Sequence, residues 1–173
     1  AQVNKLVKEN DSVLIIGAGG KSGILCSYQA RKSAGVNGKV YGLIYDESER
    51  ADLEKLGVCT AIIQADARKP MDVYHKVMAI NNQEKVNVSI NVVNVPSTEM
   101  ATILPTRDDG IVYFFGMATS FSKAALGAEG IKSEATMMIG NGYTSHHDEL
   151  TLNLLRESKT LYDIFKRRYG SEA

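Results

Sequence analysis

The fold of this chain is decided by residues 13–23, which read VLIIGAGGKSG. The first four residues are apolar, so a strand formed by them would be buried on both faces, as in a parallel sheet covered by helices. The glycines that follow permit a tight turn, and a helical pattern begins near Ser22. A glycine turn between a buried strand and a helix presents free backbone N–H groups and the positive end of the helix dipole. These residues therefore predict a loop that binds the phosphates of a nucleotide.

The spacing of the glycines favours a dinucleotide over a nucleoside triphosphate. The loop fits GxxGxxG, whereas the stricter GxGxxG would need glycine where Ser22 stands. A P-loop also ends in Gly-Lys-Ser, but it requires a further glycine at position 15, which is isoleucine. A tight turn without a ligand is the remaining alternative. The predicted diphosphate-binding residues are Gly17, Gly19, Gly20, Lys21, Ser22 and Gly23.

An acidic residue follows the second predicted strand. Asp46 lies 23 residues after Gly23, where a carboxylate accepts hydrogen bonds from the adenosine ribose hydroxyls and repels a 2′-phosphate. Asp46 therefore favours NAD as the cofactor, although Arg50 nearby could admit NADP. The alternative is that Asp46 only caps the next helix.

Three more candidates follow later strands. Asp66 comes after the third strand, where a side chain can reach the edge of the adenine. Asn94 and Gly116 come after the fourth and fifth strands and are expected to line the crevice near the nicotinamide ribose. Ordinary turn chemistry explains all three about equally well.

Strand and helix patterns alternate along the chain. Apolar runs of strand length lie at residues 13–16, 39–45, 60–64, 86–93, 110–115 and 135–140. Helical patterns lie at residues 2–9, 22–34, 47–56, 70–82, 97–104 and 145–168, with caps expected at Ser97 and Ser145. Residues 119–133 are expected to be irregular with one short helix. The pattern predicts an α/β Rossmann fold, a doubly wound six-stranded parallel sheet with helices on both faces. Its ligand crevice lies at the carboxyl ends of the strands, where the strand order reverses.

Three polar patterns near the C-terminus have structural explanations that we favour. Tyr162 and Lys166 have the spacing of a short-chain dehydrogenase pair, but that family places it between strands five and six, so Tyr162 is expected to pack in the core. His146 and His147 point in different directions because they are adjacent, so they are expected to be solvated rather than to bind metal. One of them could still reach a substrate. Residues 166–168, Lys-Arg-Arg, indicate a solvated helix end. We assign no catalytic residue.

Length and composition suit a single globular domain. The chain has 173 residues and a formal net charge of +0, which gives no reason to expect nucleic acid or a membrane as partner. No apolar run approaches the ~20 residues of a membrane helix, and the start lacks the pattern of a signal peptide. Cys26 and Cys59 lie in no ligand-spaced cluster, so we expect reduced thiols, no metal site and a cytoplasmic location.

The whole chain resembles the cofactor domain of the medium-chain dehydrogenase/reductase superfamily. The resemblance begins in the short helix and turn before residue 13 and continues through Asp46 and residues 91–94 and 110–116. Within the superfamily, residues 19–25 (GGKSGIL) and 137–143 (MMIGNGY) resemble the family of L-erythro-3,5-diaminohexanoate dehydrogenases of bacterial lysine fermentation.

The resemblance implies an NAD(P)-dependent oxidative deamination of L-erythro-3,5-diaminohexanoate to 5-amino-3-oxohexanoate. It also implies a second, GroES-like domain that supplies most substrate contacts, so this chain is expected to be a fragment that binds cofactor but is inactive alone. Cofactor domains of this kind often form homodimers through their last strand, which points to residues 136–139. The alternatives are another medium-chain or quinone-reductase-like oxidoreductase, or a Rossmann nucleotide sensor without chemistry.

Overall fold

A computed structural model describes residues 2–140 and 143–170 of the chain. The strands are β1 (Ser12–Ile16), β2 (Lys39–Ile44), β3 (Ala61–Gln64), β4 (Val86–Asn91), β5 (Thr106–Phe114) and β6 (Thr136–Ile139). The α-helices are α1 (Gln2–Leu6), α2 (Lys21–Ala34), α3 (Arg50–Leu56), α4 (Pro70–Ile80), α5 (Glu99–Ile103), α6 (Phe121–Gly130), α7 (His147–Glu157) and α8 (Lys159–Tyr169). A turn of 3₁₀-helix, Glu47–Glu49, precedes α3.

The strands form one parallel sheet in the order β3-β2-β1-β4-β5-β6. The central strand β1 pairs with β2 on one side and with β4 on the other, so the strand order reverses there. This arrangement confirms the predicted doubly wound α/β fold. In such sheets the ligand crevice opens outside the carboxyl ends of the strands at the reversal, which here lies between β1 and β4.

Helices cover both faces of the sheet, and the alternation of side chains along β1 divides the core between them. Val13 and Ile15 pack under α1, α2, α3, α7 and α8, while Leu14 and Ile16 pack under α4 and α5. A third cluster joins β5 to α6. All residues of β1 are buried, as expected for a strand covered on both sides.

Several predicted boundaries were wrong. The helix expected from Ser97 begins after Thr98, because Ser97 has a left-handed φ of 66° and its hydroxyl accepts a hydrogen bond from Lys123 Nζ at 2.7 Å. The helix α7 begins after His146, also left-handed, and not at Ser145. Its first turn is served instead by the Asp148 carboxylate, whose pKa is lowered by the backbone N–H of Glu149.

Other segments are more regular than the sequence indicated. The strand β5 begins at Thr106, four residues before the predicted start, and a bulge against β4 accommodates the early part. The helix α6 occupies ten of residues 119–133, and the Ser120 hydroxyl caps it by accepting from the Lys123 N–H. Within the described part of the chain, no helix has the length and apolar content needed to cross a membrane.

Candidate functional site

The glycine loop, residues 17–20, connects β1 to α2 and is tied to the neighbouring strand. The N–H groups of Gly17 and Ala18 both donate to the Leu43 carbonyl, at 3.0 and 2.9 Å. Gly17 has a φ of +88°, and a Cβ there would lie 2.4 Å from Val93 Cγ1. Only glycine therefore suits this position, where the chain turns sharply and passes close to the end of β4.

The start of α2 packs directly onto this loop. A Cβ on Gly23 would lie 1.9 Å from the Gly17 carbonyl oxygen, so the helix approaches the loop as closely as backbone atoms allow. Gly20 is different, because the nearest heavy atom to a Cβ there would be 3.5 Å away, an ordinary contact. The space beside Gly20 is open, and the first-turn N–H groups of a helix N-terminus need partners from outside the helix.

A cleft of about 480 Å³ lies beside the loop at the carboxyl ends of four strands. We call it the larger cleft. Its walls combine backbone at the strand ends with a few polar side chains, a composition typical of ligand sites. Its lining residues are Gly17, Gly20, Leu43, Tyr45, Glu49, Ala65, Asp66, Ala67, Arg68, Val92, Val93, Asn94, Val95 and Thr98.

A second cleft, of about 220 Å³, lies near the carboxyl end of β5, where Tyr113 and Phe115 line it. We call it the smaller cleft. It is bounded by the first turns of α2 and by the start of α7, and Ser22 and His147 are among its lining residues. Val92, at the end of β4, lines both clefts. The two clefts therefore meet at Val92, beside the point where the strand order reverses, and the smaller one borders α2 at Ser22 rather than residues 17–20.

The predicted site residues fall into two groups. Gly17, Gly20, Asp66 and Asn94 line the larger cleft, and Ser22 lines the smaller one. The remaining five are close to the clefts but do not line them: Gly19, Lys21, Gly23, Asp46 and Gly116.

Gly116 and Gly19 are both in close contact with neighbouring segments. A Cβ on Gly116 would lie 2.1 Å from the Val93 carbonyl oxygen, so the loops after β4 and β5 touch there. A Cβ on Gly19 would lie 2.5 Å from the Cβ of Glu49. Glycine at these positions therefore brings the walls of the site together.

Asp46 is exposed and caps the 3₁₀-turn that follows β2. Its Oδ1 accepts from the Ser48 N–H at 2.9 Å, and this bond lowers the pKa of the carboxyl group. Asp46 therefore acts as a cap, which was the alternative explanation for it. Its carboxylate follows Tyr45, which lines the larger cleft. Arg50 is held by an ion pair with Glu47 and donates to the Ile62 carbonyl at 3.3 Å.

Asp66 forms a local ion pair in the wall of the larger cleft. It accepts from the Arg68 side chain at 2.9 Å and from the Arg68 N–H at the same distance. These bonds lower the pKa of Asp66 to about 2, so the carboxylate stays ionised at every working pH.

The loop after β4 is fixed by the buried side chain of Asn91. Its amide nitrogen donates to the hydroxyls of Thr98 and Thr102, both at 2.9 Å, and its oxygen accepts from the Val93 N–H at 3.1 Å. Because residues 92–95 line the larger cleft, one buried amide sets the shape of that wall.

The structure does not support a P-loop. Lys21, which would have to reach phosphates, lies with its Nζ 5.2 Å from the centre of the Tyr169 ring, in a cation–π contact. Among residues 2–140 and 143–170, no three His, Cys, Asp or Glu side chains converge as metal ligands.

The C-terminal patterns behave differently from one another. Tyr162 is half exposed on α8, so the prediction that it packs in the core was wrong, and it lines neither cleft. His146 and His147 are both exposed, as predicted, and His147 also lines the smaller cleft and makes an edge contact with Tyr143. Of the motif at residues 137–143, Asn141 and Gly142 lie outside the described residues.

The prediction of a solvated helix end at residues 166–168 holds for Lys166 and Arg167, which are exposed, and is wrong for Arg168, whose side chain is only 22% exposed. Arg167 and Arg168 both form ion pairs with Asp52, whose side chain is only 9% exposed. Arg168 Nη1 also donates to the Gly19 carbonyl at 2.7 Å. Sequence reasoning missed this contact, and it missed Tyr45, Glu49 and Arg68 in the larger cleft. Only their closeness to Asp46 and Asp66 in the sequence could have indicated them.

Comparison with known proteins agrees with this geometry. No family model matches the chain. The chain is 54% identical over 169 residues to an L-erythro-3,5-diaminohexanoate dehydrogenase of Fusobacterium nucleatum, and 51% identical to the enzyme of that name from Acetoanaerobium sticklandii. Each alignment covers 98% of the chain, which spans about half the length (49%) of these curated relatives. The resemblance inferred from residues 19–25 and 137–143 is thereby confirmed.

Solved structures show the same fold at much lower identity. The chain matches the crystal structure of AibC with a TM-score of 0.67 and 19% identity, over 90% of the chain and 44% of that structure. It matches an alcohol dehydrogenase from Thermus sp. ATN1 with a TM-score of 0.63 and 20% identity, over 88% of the chain and 40% of that structure. In both, the likeness covers less than half of the larger protein.

Proposed function

We propose that this chain is the nicotinamide-dinucleotide-binding part of a dehydrogenase that oxidatively deaminates L-erythro-3,5-diaminohexanoate to 5-amino-3-oxohexanoate. The observation that carries the proposal is the larger cleft beside an open glycine loop, with the smaller cleft adjoining it at Val92. A dinucleotide has two nucleoside ends joined by a diphosphate, and two adjoining clefts next to the loop offer one cleft to each end. The sequence identity to two dehydrogenases of this name supports the choice of reaction.

The residues present fit such a cofactor. In the proposed arrangement the diphosphate lies over Gly20, where the missing side chain leaves room, and faces the N–H groups at the start of α2. The adenosine occupies the larger cleft between Asp66 and Asn94, and Asp46 accepts hydrogen bonds from its ribose. The nicotinamide end occupies the smaller cleft near Ser22 and the loop of Gly116.

The bound nicotinamide would supply the acceptor for the hydride that leaves the amine-bearing carbon, after which water releases ammonia. The chain's own residues orient the cofactor and shield it on the sheet side. Half of the relatives' length lies outside the aligned region, and we propose that this other part holds the substrate. The chain by itself is then expected to bind cofactor without turning over substrate.

We propose NAD rather than NADP as the cofactor. The charge of Asp46 would repel a 2′-phosphate, and Arg50, which could have paired with one, is already held by Glu47. The two cysteines are free thiols, which suits the cytoplasm. We also propose a homodimer through β6, because this strand lies at one edge of the sheet with Ile139 half exposed, and sedimentation velocity would measure it.

Calorimetric titration with NAD⁺, NADP⁺ and ATP tests the proposal. The chain should bind NAD⁺ most tightly, and Asp46→Ala should weaken NAD⁺ by about tenfold while narrowing the preference over NADP⁺. Asp109→Ala is the control, since Asp109 is an exposed carboxylate that pairs with Arg107 on β5, away from both clefts. Absence of dinucleotide binding, or tighter binding of ATP, would refute the proposal.

A further inference from the structure

The last helix reaches back to the glycine loop. Arg168, on α8, donates from Nη1 to the Gly19 carbonyl at 2.7 Å, a contact between residues 149 positions apart. Its Nη2 pairs with Asp52 on α3 at 2.5 Å. The Arg168 side chain is 22% exposed and that of Asp52 is 9% exposed, so the pair is largely removed from solvent.

The contact adds a side-chain restraint to a glycine-rich segment that is otherwise held by backbone hydrogen bonds to β2 and within the loop. Three of the four loop residues are glycines, which lose more conformational freedom on folding than any other residue. The Gly19 carbonyl belongs to the same planar peptide group as the Gly20 N–H. By holding the carbonyl, Arg168 fixes the direction of that N–H, which donates to the Gly17 carbonyl at 3.2 Å.

The charge of Arg168 also matters at this place. The carboxylates of Glu49 and Asp52 lie close to the loop, with Glu49 packed against Gly19. A diphosphate arriving at the loop would meet these negative charges at short range. Arg168 pairs with one of them and places a fixed cation beside the loop backbone.

We propose that Arg168 is a positioning residue, which preorganises the glycine loop for a diphosphate through the Gly19 carbonyl. The inference rests on the proposed function, because it assumes that the loop binds the diphosphate of a dinucleotide. Preorganisation lowers the cost of ordering the loop when the ligand binds, so its loss appears in affinity.

The neighbouring arginine provides a matched control. Arg167 also pairs with Asp52, but its side chain is 63% exposed and its described hydrogen bond goes to Asp52 rather than to the loop. If Arg168 served only to dock α8 onto α3, removing either arginine would have the same consequence. If Arg168 acts through the loop, only its removal would impair diphosphate binding.

The test compares Arg168→Gln, Arg168→Lys and Arg167→Gln in the chain by titration with ADP-ribose and with adenosine, which lacks the diphosphate. We expect Arg168→Gln to weaken the binding of ADP-ribose by about tenfold. The binding of adenosine, which is measured by NMR, should be unchanged. Arg168→Lys keeps the charge but cannot span both partners, so it should weaken ADP-ribose less. Arg167→Gln should bind both ligands as the wild type does.

Thermal unfolding of each variant separates stability from binding. If Arg168→Gln does not fold, the binding of ADP-ribose by Arg168→Lys is compared with its binding by Arg167→Gln. Equal effects of the two arginines, or equal losses for ADP-ribose and adenosine, would overturn the inference while leaving the proposed function intact. If the wild type binds no ADP-ribose, the proposed function fails and the inference fails with it.

Discussion

The contact between Gly23 and the glycine loop permits a quantitative prediction. In Gly23→Ala, the new Cβ would lie 1.9 Å from the Gly17 carbonyl oxygen and 2.7 Å from two backbone atoms of Ala18. The first distance is about 1.5 Å short of an ordinary contact. No side chain can rotate to relieve the clash, because the atoms on both sides are backbone. The N-terminal turn of α2 must therefore move away from the loop.

The magnitude follows from the cost of overpacking and the gain in helix propensity. A methyl group forced against packed backbone costs about 3 kcal/mol, the upper end of the usual range. Alanine in a helix recovers about 1 kcal/mol relative to glycine. The net loss of unfolding free energy is about 2 kcal/mol, which lowers the Tm of a domain of this size by roughly 4–8 °C.

Differential scanning calorimetry measures the Tm, and Gly130→Ala is the matched control. Gly130 is also helical, at the end of α6, and a Cβ there would meet nothing within 4 Å. This control should be as stable as the wild type or slightly more so. A Tm for Gly23→Ala within about 1 °C of the control would refute the close approach of α2 to the loop.

Two further predictions concern the Asn91 amide and the two cysteine thiols. Asn91→Leu removes the three hydrogen bonds that hold the loop after β4, so urea unfolding should show a loss of about 3 kcal/mol in the free energy of unfolding. Asn153→Leu, on the exposed side of α7, serves as the control. An unchanged urea midpoint for Asn91→Leu would contradict the role given to this amide. Burial raises the pKa of the Cys26 and Cys59 thiols to about 11, so both should react slowly with a disulfide reagent at pH 8 and rapidly after unfolding. Fast labelling of the native chain would show that the thiols are accessible and would contradict their burial.

The sequence predicted the parts of this molecule that depend on neighbouring residues. The apolar run at residues 13–16 and the glycines after it identified the central strand and the loop, because burial on both faces and a tight turn each leave a local pattern. The parallel sheet followed from the alternation of strands and helices. Gly23 packs against Gly17 and Ala18 within the same short segment, whereas the close approach of Gly17 to Val93 is a contact between distant parts of the chain.

Features set by distant contacts could not be predicted in the same way. Ser97 has the composition of a helix cap, but its left-handed backbone and its contact with Lys123 reflect the packing of α5 against α6. The basic pair at 167 and 168 resembles a solvated helix end, and its partners on α3 and in the loop are more than 100 residues away. Whether Asp46 or Glu49 lines the larger cleft depends on the 3₁₀-turn between them, which local propensity does not specify.

The contact between α8 and the glycine loop has a consequence for synthesis of the chain. Arg168, which restrains the loop, is synthesised 149 residues after Gly19. At the usual rates of translation, this interval is roughly 7–30 s. Until α8 is made, the loop lacks the Arg168 contact, although its hydrogen bonds to Leu43 on β2 and its packing against Val93 can already form. A chain whose synthesis has not reached α8 therefore has a glycine loop without this restraint, and under the proposed function its diphosphate site is not yet preorganised.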